Sequence, residues 1–196
     1  MQRMRHMSLL AGAIASLTVF TAGQVSAASP RTVEIVGQDE LGAGGGTPFY
    51  FKQGRLTVHQ NDTVVWRNES PAPHSITIVN RDEVPQTLDQ AMNCPLCDTF
   101  IGAHVPTLGP DGPVPPFVAN LDNFKVSAAS PARLDGRGDS LVIAEQGKTY
   151  PATVGGVIGD AASAVITAPA GTTLTYLCAL HPWMQGEIQV VPNSQR

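Results

Sequence analysis

The sequence predicts an all-β fold, a sandwich of short strands joined by turn-rich connections. Of the 196 residues, 19 are glycine and 16 are proline, which is above the usual fraction and lacks the regular spacing of a collagen. Runs of five or six residues alternate apolar with polar side chains, as half-buried strands do. Only Val84–Met92 offers room for a helical turn or two, so we expect the sheet to dominate.

Composition excludes two other classes. Hydrophobic residues make up 42% of the chain and charged residues 14%, a balance that suits a packed core rather than a disordered chain. The net charge is −4, from 12 basic and 16 acidic residues, and the basic residues form no stripe that could follow a phosphate backbone. We therefore expect no nucleic-acid partner.

The N-terminal segment has the pattern of a secretory signal peptide. The first six residues contain Arg3 and Arg5, an uncharged stretch runs to about Gly23, and Val25–Ala27 supplies small residues for cleavage immediately after this tripeptide. The apolar stretch is shorter than the ~20 residues of a membrane span, so no membrane anchor is expected. Loss of the two arginines changes the net charge from −4 to −6. We predict a periplasmic or secreted mature chain of residues 28–196.

The first half of the mature chain contains four predicted strands. In the second of them Leu56 and Val58 share one face, and in the third Val64 and Trp66 do so. Turn residues separate the runs, so we expect antiparallel hairpins. The four runs are Thr32–Val36, Arg55–His59, Thr63–Asn68 and Ser75–Val79.

The alternating pattern then stops for about sixty residues. This stretch, residues 80–140, contains the motif Cys94-Pro-Leu-Cys97 and the proline-rich run Val105–Pro116. We interpret it as a long loop-rich insertion in a single domain of residues 28–196. Strand character returns in four runs: Ser140–Ala144, Ser163–Thr167, Thr172–Cys178 and Glu187–Val191.

The chemistry-bearing residues lie near the C-terminus. Cys178, His181 and Met184 are spaced three apart in a loop that leaves a predicted strand, so a thiolate, an imidazole and a thioether can converge on one point. His74 supplies a second imidazole where a turn enters another strand. Two imidazoles and a thiolate, with a weak axial thioether, are the donor set of blue-copper electron-transfer sites.

Two segments of the chain resemble the cupredoxin family, with a short ligand loop of the amicyanin and plastocyanin type. Thr57–Val79 contains Val-x-x-Asn-Asp-Thr-Val-x-Trp-x-Asn followed by Pro-His, and Pro169–Val191 contains Pro-x-Gly-Thr and Tyr-x-Cys-x-x-His-Pro-x-Met-x-Gly. The resemblance implies a Greek-key β-sandwich that holds one copper ion near one end. It assigns four metal ligands: His74, Cys178, His181 and Met184.

The resemblance also implies an electron port at the exposed edge of His181, beside Pro182 and Trp183. The chain departs from the family pattern at two places. Ser75 stands where many members carry an asparagine that ties the two ligand loops together. The separation of 104 positions between His74 and Cys178 is much longer than in a minimal cupredoxin.

The two other cysteines have three interpretations. A thiolate at Cys178 accounts for the odd cysteine, and Cys94 and Cys97 are then predicted to form a local disulfide that holds the insertion. A redox-active pair and a second metal site with His104 stay open as alternatives. Asp98–Gly102 shows no helical face, which argues against the redox interpretation. His104 itself is expected to be a solvated loop residue.

These observations predict a one-electron copper shuttle rather than an enzyme. The chain has no Gly-x-Ser-x-Gly and no His-Glu-x-x-His, and its four mature histidines are too few for a multicopper oxidase. We expect a monomer that contacts redox partner proteins transiently, steered towards basic ones by its negative charge. We also expect that His181 can take up a proton and leave reduced copper at low pH.

Two alternatives remain. The first is a copper carrier or sensor that uses the insertion as a docking surface or second metal site. The second is a copper enzyme with an open coordination position, against which Met184 argues.

Overall fold

The computed structural model describes residues 30–42, 44–104, 107–109, 112–114, 125–127, 132–151 and 157–193. The predicted signal peptide, residues 1–27, and half of the proline-rich run lie outside these ranges. Within the described residues, no helix is long and apolar enough to cross a membrane.

The described elements are mostly strands. In chain order the strands are β1 (Arg31–Val36), β2 (Tyr50–Lys52), β3 (Arg55–His59), β4 (Thr63–Asn68), β5 (His74–Val79), β6 (Thr107–Gly109), β7 (Gly112–Val114), β8 (Lys125–Ser127), β9 (Ala132–Leu134), β10 (Asp139–Ile143), β11 (Tyr150–Pro151), β12 (Val157–Ile158), β13 (Ala161–Ile166), β14 (Thr173–Leu177) and β15 (Gln185–Val191). A short 3₁₀ helix (Arg81–Glu83) precedes the helices α1 (Leu88–Met92) and α2 (Pro95–His104).

Two sheets carry the fold. The first has the strand order β2-β1-β4-β13-β9 and the second has the order β3-β15-β14-β5-β10-β8, while β6-β7 and β11-β12 form separate pairs. One apolar cluster contains residues from both sheets, so the sheets pack face to face as a sandwich. Consecutive strands repeatedly change sheet, as in Greek-key connections. The predicted fold class, an all-β sandwich, is confirmed.

The core between the sheets is built around two large aromatic side chains. Trp66 of β4 and Tyr176 of β14 are both fully buried, with their rings 6.0 Å apart in an edge-to-face arrangement. The Tyr176 hydroxyl donates a hydrogen bond of 2.9 Å to the carbonyl of Gly54. Gly186 of β15 lies directly against the Tyr176 ring, where a Cβ atom would clash. These contacts fix β15 against β14 and so fix the loop between them.

The prediction of antiparallel hairpins between the early strands is wrong. β3 pairs in parallel with β15 in the second sheet, whereas β4 pairs in parallel with β1 and antiparallel with β13 in the first. The turn at Asn61, whose φ is +71°, carries the chain from one sheet to the other. An apolar face that points into the interior is compatible with either sheet of a sandwich, so the alternation of Leu56 and Val58 does not reveal the pairing.

Residues 80–138 separate β5 from β10, and we call them the 80–138 segment. Its strands β8 and β9 extend the edges of the second and first sheets, each through parallel pairing. Its helix α2 contradicts the expectation that Asp98–Gly102 has no helical face. Phe100 and Cys97 of this helix are 0% and 2% exposed, and they pack against Val79 and Leu177 of the second sheet.

Candidate metal centre

The second sheet brings the first predicted ligand next to the ligand loop. β5 begins at His74, and its antiparallel partner β14 ends at Leu177, which lies opposite Thr77. Because antiparallel neighbours begin and end at opposite positions, the start of β5 and the end of β14 lie at the same end of the sheet. Cys178, the residue after β14, therefore lies beside His74 although 104 positions separate them.

Three donor atoms converge at this end of the sandwich. The Sγ of Cys178 lies 3.7 Å from the Nδ1 of His74 and 3.6 Å from the Nδ1 of His181, and the two Nδ1 atoms are 3.1 Å apart. The point equidistant from these three atoms lies about 2 Å from each, close to metal–nitrogen and metal–sulfur bond lengths in proteins. In the described part of the chain, no other group of three or more His, Cys, Asp or Glu side chains converges in this way.

The loop that carries the other predicted ligands is a compact double turn between β14 and β15. The amide of His181 donates to the carbonyl of Cys178 over 3.1 Å, and the amide of Met184 donates to the carbonyl of His181 over 2.8 Å. A third bond of 3.0 Å runs from the amide of Cys178 to the carbonyl of Met184 and closes the loop. Met184 is 1% exposed and belongs to the same apolar cluster as Cys178.

Ser75 joins the two ligand segments. Its backbone amide donates to the Sγ of Cys178 over 3.3 Å, and its side-chain Oγ accepts a hydrogen bond of 2.8 Å from the amide of Ala179. The same hydroxyl lies 3.0 Å from the Oγ1 of Thr77. The serine thus forms the cross-link between the two loops that the family pattern assigns to an asparagine.

A second serine orients the His74 ring. The Nε2 of His74 lies 2.7 Å from the Oγ of Ser70, and this hydroxyl donates to the carbonyl of Ala72 over 3.3 Å. This contact leaves the Nδ1 atom of His74 facing Cys178 and His181. The tautomer that carries its proton on Nε2 and donates it to Ser70 keeps the Nδ1 lone pair available to a metal.

Phe49 packs against both imidazoles. Its ring centroid lies 5.2 Å from that of His74 and 5.0 Å from that of His181, and Phe49 is 2% exposed. Sequence reasoning missed both Phe49 and Ser70. The strand-breaking segment around Ser70 pointed to a turn, but no pattern indicated that either side chain contacts a ligand.

Burial favours the neutral form of each donor group. It lowers the pKa of His74 to about 3, with a further contribution from His181, and it lowers the pKa of His181 against the opposing effect of Glu40. Burial also raises the pKa of the Cys178 thiol, against the effect of amide donors such as that of Ser75. The imidazoles thus present lone pairs, and a bound cation would displace the thiol proton.

The predicted exposed edge of His181 is corrected by the structure. His181 is only 5% exposed, and its Nε2 lies 3.9 Å from a carboxylate oxygen of Glu40. Pro182 is buried, and the half-buried Trp183 ring lies 5.3 Å from the imidazole. The chain therefore covers most of the ring edge with Glu40 and the ligand loop itself.

The other cysteines form a disulfide, Cys94–Cys97, as the local-disulfide interpretation predicted. The prediction that His104 is a solvated loop residue is wrong. His104 is the last residue of α2, its Nε2 lies 2.7 Å from the Oγ of Ser140, and burial lowers its pKa to about 4. With the sulfurs bridged and this imidazole hydrogen-bonded, the three residues do not form a second metal site.

Comparison with known proteins gives structural neighbours only. No protein-family model matches the chain, and no curated protein sequence matches it. Similar solved structures include a Cu(I) amicyanin mutant (15% identity, 82% of this chain and 81% of that one, TM-score 0.35) and an oxidised amicyanin mutant (14% identity, 82% and 81%, TM-score 0.36). A purple cupredoxin from Nitrosopumilus maritimus is also similar (16% identity, 82% and 98%, TM-score 0.33). These neighbours are cupredoxins; the candidate ligands of this chain are identified by the distances given above.

Proposed function

We propose that this chain is an exported electron-transfer protein with one type 1 copper ion, held by His74, Cys178, His181 and Met184. The observation that carries the proposal is the convergence of two imidazole Nδ1 atoms and one buried thiol within 3.7 Å of one another. Imidazole suits both copper oxidation states, and thiolate and thioether sulfur favour Cu(I). Bound copper would supply a one-electron couple.

The side chains around the site would keep the positions of the ligands constant when the copper changes its oxidation state. Ser70 fixes the rotation of the His74 ring, and Ser75 fixes the Cys178 sulfur relative to β5. The fully buried Cys178 is closed off from water. Met184, anchored by its backbone bonds within the ligand loop, would supply a thioether. A site that changes little between oxidation states needs little reorganisation for electron transfer, which supports a shuttle rather than an enzyme.

The redox partners would contact the ligand loop. Leu180 and Leu41, each 37% exposed, border the same cleft as Pro182 and Trp183, so an apolar surface lies beside His181. A small apolar contact suits transient association. Removal of the signal peptide would leave a monomer of residues 28–196 with a net charge of −6, which favours basic partners and salt-dependent binding.

The first test is optical and magnetic spectroscopy of the copper-loaded, oxidised chain. We expect an intense blue thiolate-to-copper band and narrow hyperfine splitting in the electron paramagnetic resonance spectrum, both lost in Cys178→Ser. The matched control is the double variant Cys94→Ser/Cys97→Ser, which removes the other two cysteine sulfurs and should keep both features. A pale tetragonal spectrum in the unsubstituted chain would reject thiolate ligation and the shuttle with it.

A further inference from the structure

The disulfide Cys94–Cys97 lies at the start of a ten-residue helix. Cys94 immediately precedes α2, and Cys97 lies in its first turn. The amide of Cys97 donates to the Sγ of Cys94 over 3.2 Å, and the amide of Asp98 donates to the Cys94 carbonyl over 3.1 Å. The first turn of a helix stabilises negative charge, and cysteines placed there have lowered thiol pKa values.

The two sulfurs differ in access. Cys97 is 2% exposed and packs in the apolar cluster that joins α2 to the second sheet, whereas Cys94 is half-buried. A cleft of about 190 Å³ opens beside the disulfide, with Met92 and Leu180 in its walls. An incoming thiol can therefore approach the sulfur of Cys94, while the sulfur of Cys97 is shielded.

Stabilisation of the fold gives only a weak reason for the disulfide Cys94–Cys97. The disulfide closes a loop of four residues inside the 80–138 segment and makes no covalent link to the sandwich. The restraint that a disulfide places on the unfolded chain decreases as the closed loop shortens. Packing of Phe100 and Cys97 against Val79 and Leu177 is what attaches the helix to the sheet.

We propose that Cys94–Cys97 is a thiol–disulfide exchange site that accepts two electrons from a protein dithiol. This inference goes beyond the proposed copper function and does not rest on it. Exposed apolar groups of the cleft, Met92 at 60% and Leu180 at 37%, favour a partner with apolar residues beside its thiols. The carboxylates of Glu40 and Asp98 also line the cleft, which disfavours a partner with negative charge at that point.

The exchange balances without a further reactant. A thiolate of the partner forms a bond to the Sγ of Cys94, and the Cys94–Cys97 bond breaks with its electron pair on Cys97, which takes up a proton. The second thiolate of the partner then attacks the mixed disulfide, forms the partner's own disulfide and releases Cys94 as a thiolate. Two electrons pass from the partner to the chain, one of the two partner thiol protons ends on Cys97 and the other is released to solvent, and the amide of Cys97 is placed to stabilise the Cys94 thiolate.

Kinetics with a neutral model dithiol test the assignment. The folded, metal-free full chain is treated with reduced dithiothreitol, and opening of the disulfide is followed by alkylation and peptide mass spectrometry. We expect opening at least about tenfold faster than reduction of oxidised glutathione under the same conditions, because the first turn of the helix stabilises the negative charge that the attacking thiolate brings to Cys94. Opening no faster than that of this exposed reference disulfide overturns the proposal.

A pair of single variants gives an independent readout. In Cys97→Ser the free Cys94 thiol should react with iodoacetamide with a midpoint below the ordinary cysteine pKa of about 8.5. In the matched variant Cys94→Ser, the remaining thiol at Cys97 should react at least about tenfold more slowly, because the helix packing shields it. Circular dichroism checks that both variants are folded. A Cys94 midpoint at the ordinary value, or equal rates in the two variants, also overturns the proposal.

Discussion

The chain contains two cysteine sites that differ in burial, in oxidation state and in the secondary structure around them. Cys178 follows a strand, is fully buried and remains a free thiol, with two imidazole nitrogens within 3.7 Å. Cys94 and Cys97 begin a helix and are joined in a disulfide beside an open cleft. Strand pairing brings Cys178 to histidines from distant sequence, whereas one helical turn brings Cys94 to Cys97. In this chain the surrounding secondary structure thus places Cys178 beside two histidines and Cys94 beside another sulfur.

The largest expected difference between the two sites is the response to copper. A ligand present at a thousand times its Kd adds about 4 kcal/mol to the free energy of unfolding, and we expect at least this gain for copper on the unsubstituted chain. Cys178→Ser should lose most of the gain, because only the imidazoles and the thioether remain. Urea unfolding of both proteins with and without copper measures this gain in the free energy of unfolding.

The double variant Cys94→Ser/Cys97→Ser is the control for that experiment. It should retain the full copper-dependent gain, because neither sulfur belongs to the converging group of His74, Cys178 and His181. If the gain disappears in the double variant and survives in Cys178→Ser, the roles given to the two sulfur sites are reversed.

A smaller effect is expected from His104, the half-buried imidazole of the 80–138 segment. His104 has its pKa lowered to about 4 by burial, so between pH 6.5 and 4 the unfolded chain binds a proton that the folded chain does not. Stability of the metal-free chain should therefore fall as the pH drops through this window, and His104 should contribute roughly 2 to 3 kcal/mol of the fall. Urea unfolding at pH 7 and pH 4.5 measures the change.

The variant His104→Gln isolates this contribution. It should reduce the pH-dependent loss, while the loss due to His74, whose pKa burial lowers to about 3, persists. An identical pH dependence in the variant and the unsubstituted chain would show that His104 does not remain neutral in the folded state.

Loss of one hydroxyl should also distinguish the two sites. Ser75→Ala leaves the buried amide of Ala179 without its acceptor, and an unpaired buried donor costs about 1 to 3 kcal/mol. Thr99→Ala removes a hydroxyl from exposed Thr99 in α2, where it donates to the Pro95 carbonyl, and should change stability by less than about 0.5 kcal/mol. Urea unfolding of both variants measures the two losses of stability. Equal losses would contradict the predicted difference between the two sites.

Local patterns predicted the eight described strands of five or more residues, but not the seven described strands of two or three residues, which are too short to show a pattern. The same patterns could not predict sheet membership. β3 and β15 pair across more than a hundred residues, and the apolar faces of β3 and β4 fit either sheet. Helix α2 did leave a signal that a wider window would have found: Leu96, Phe100 and Ala103 recur at helical spacing.

Residue types and spacing also predicted the candidate ligands, since few residues combine thiolate, imidazole and thioether donors. The side chains that orient those ligands could not be predicted. Ser70, Phe49 and Glu40 come from three separate segments and meet the histidines only after the chain has folded. Ser75 was noticed only as a departure from a family pattern, and its hydrogen bonds to Cys178 and Ala179 depend on the register of β5 with β14.

A modest effect on stability is expected for removal of the disulfide. In the chain-entropy description a closed loop of four residues contributes about 2 kcal/mol or less, so Cys94→Ala/Cys97→Ala should lower the free energy of unfolding by no more than this. The packing of Phe100 is unchanged, and the copper spectrum should be too. Thermal and urea unfolding of the variant measure the loss. A loss above about 4 kcal/mol would mean that the disulfide holds α2 on the sheet, and this would contradict the proposal that Cys94–Cys97 serves as an exchange site.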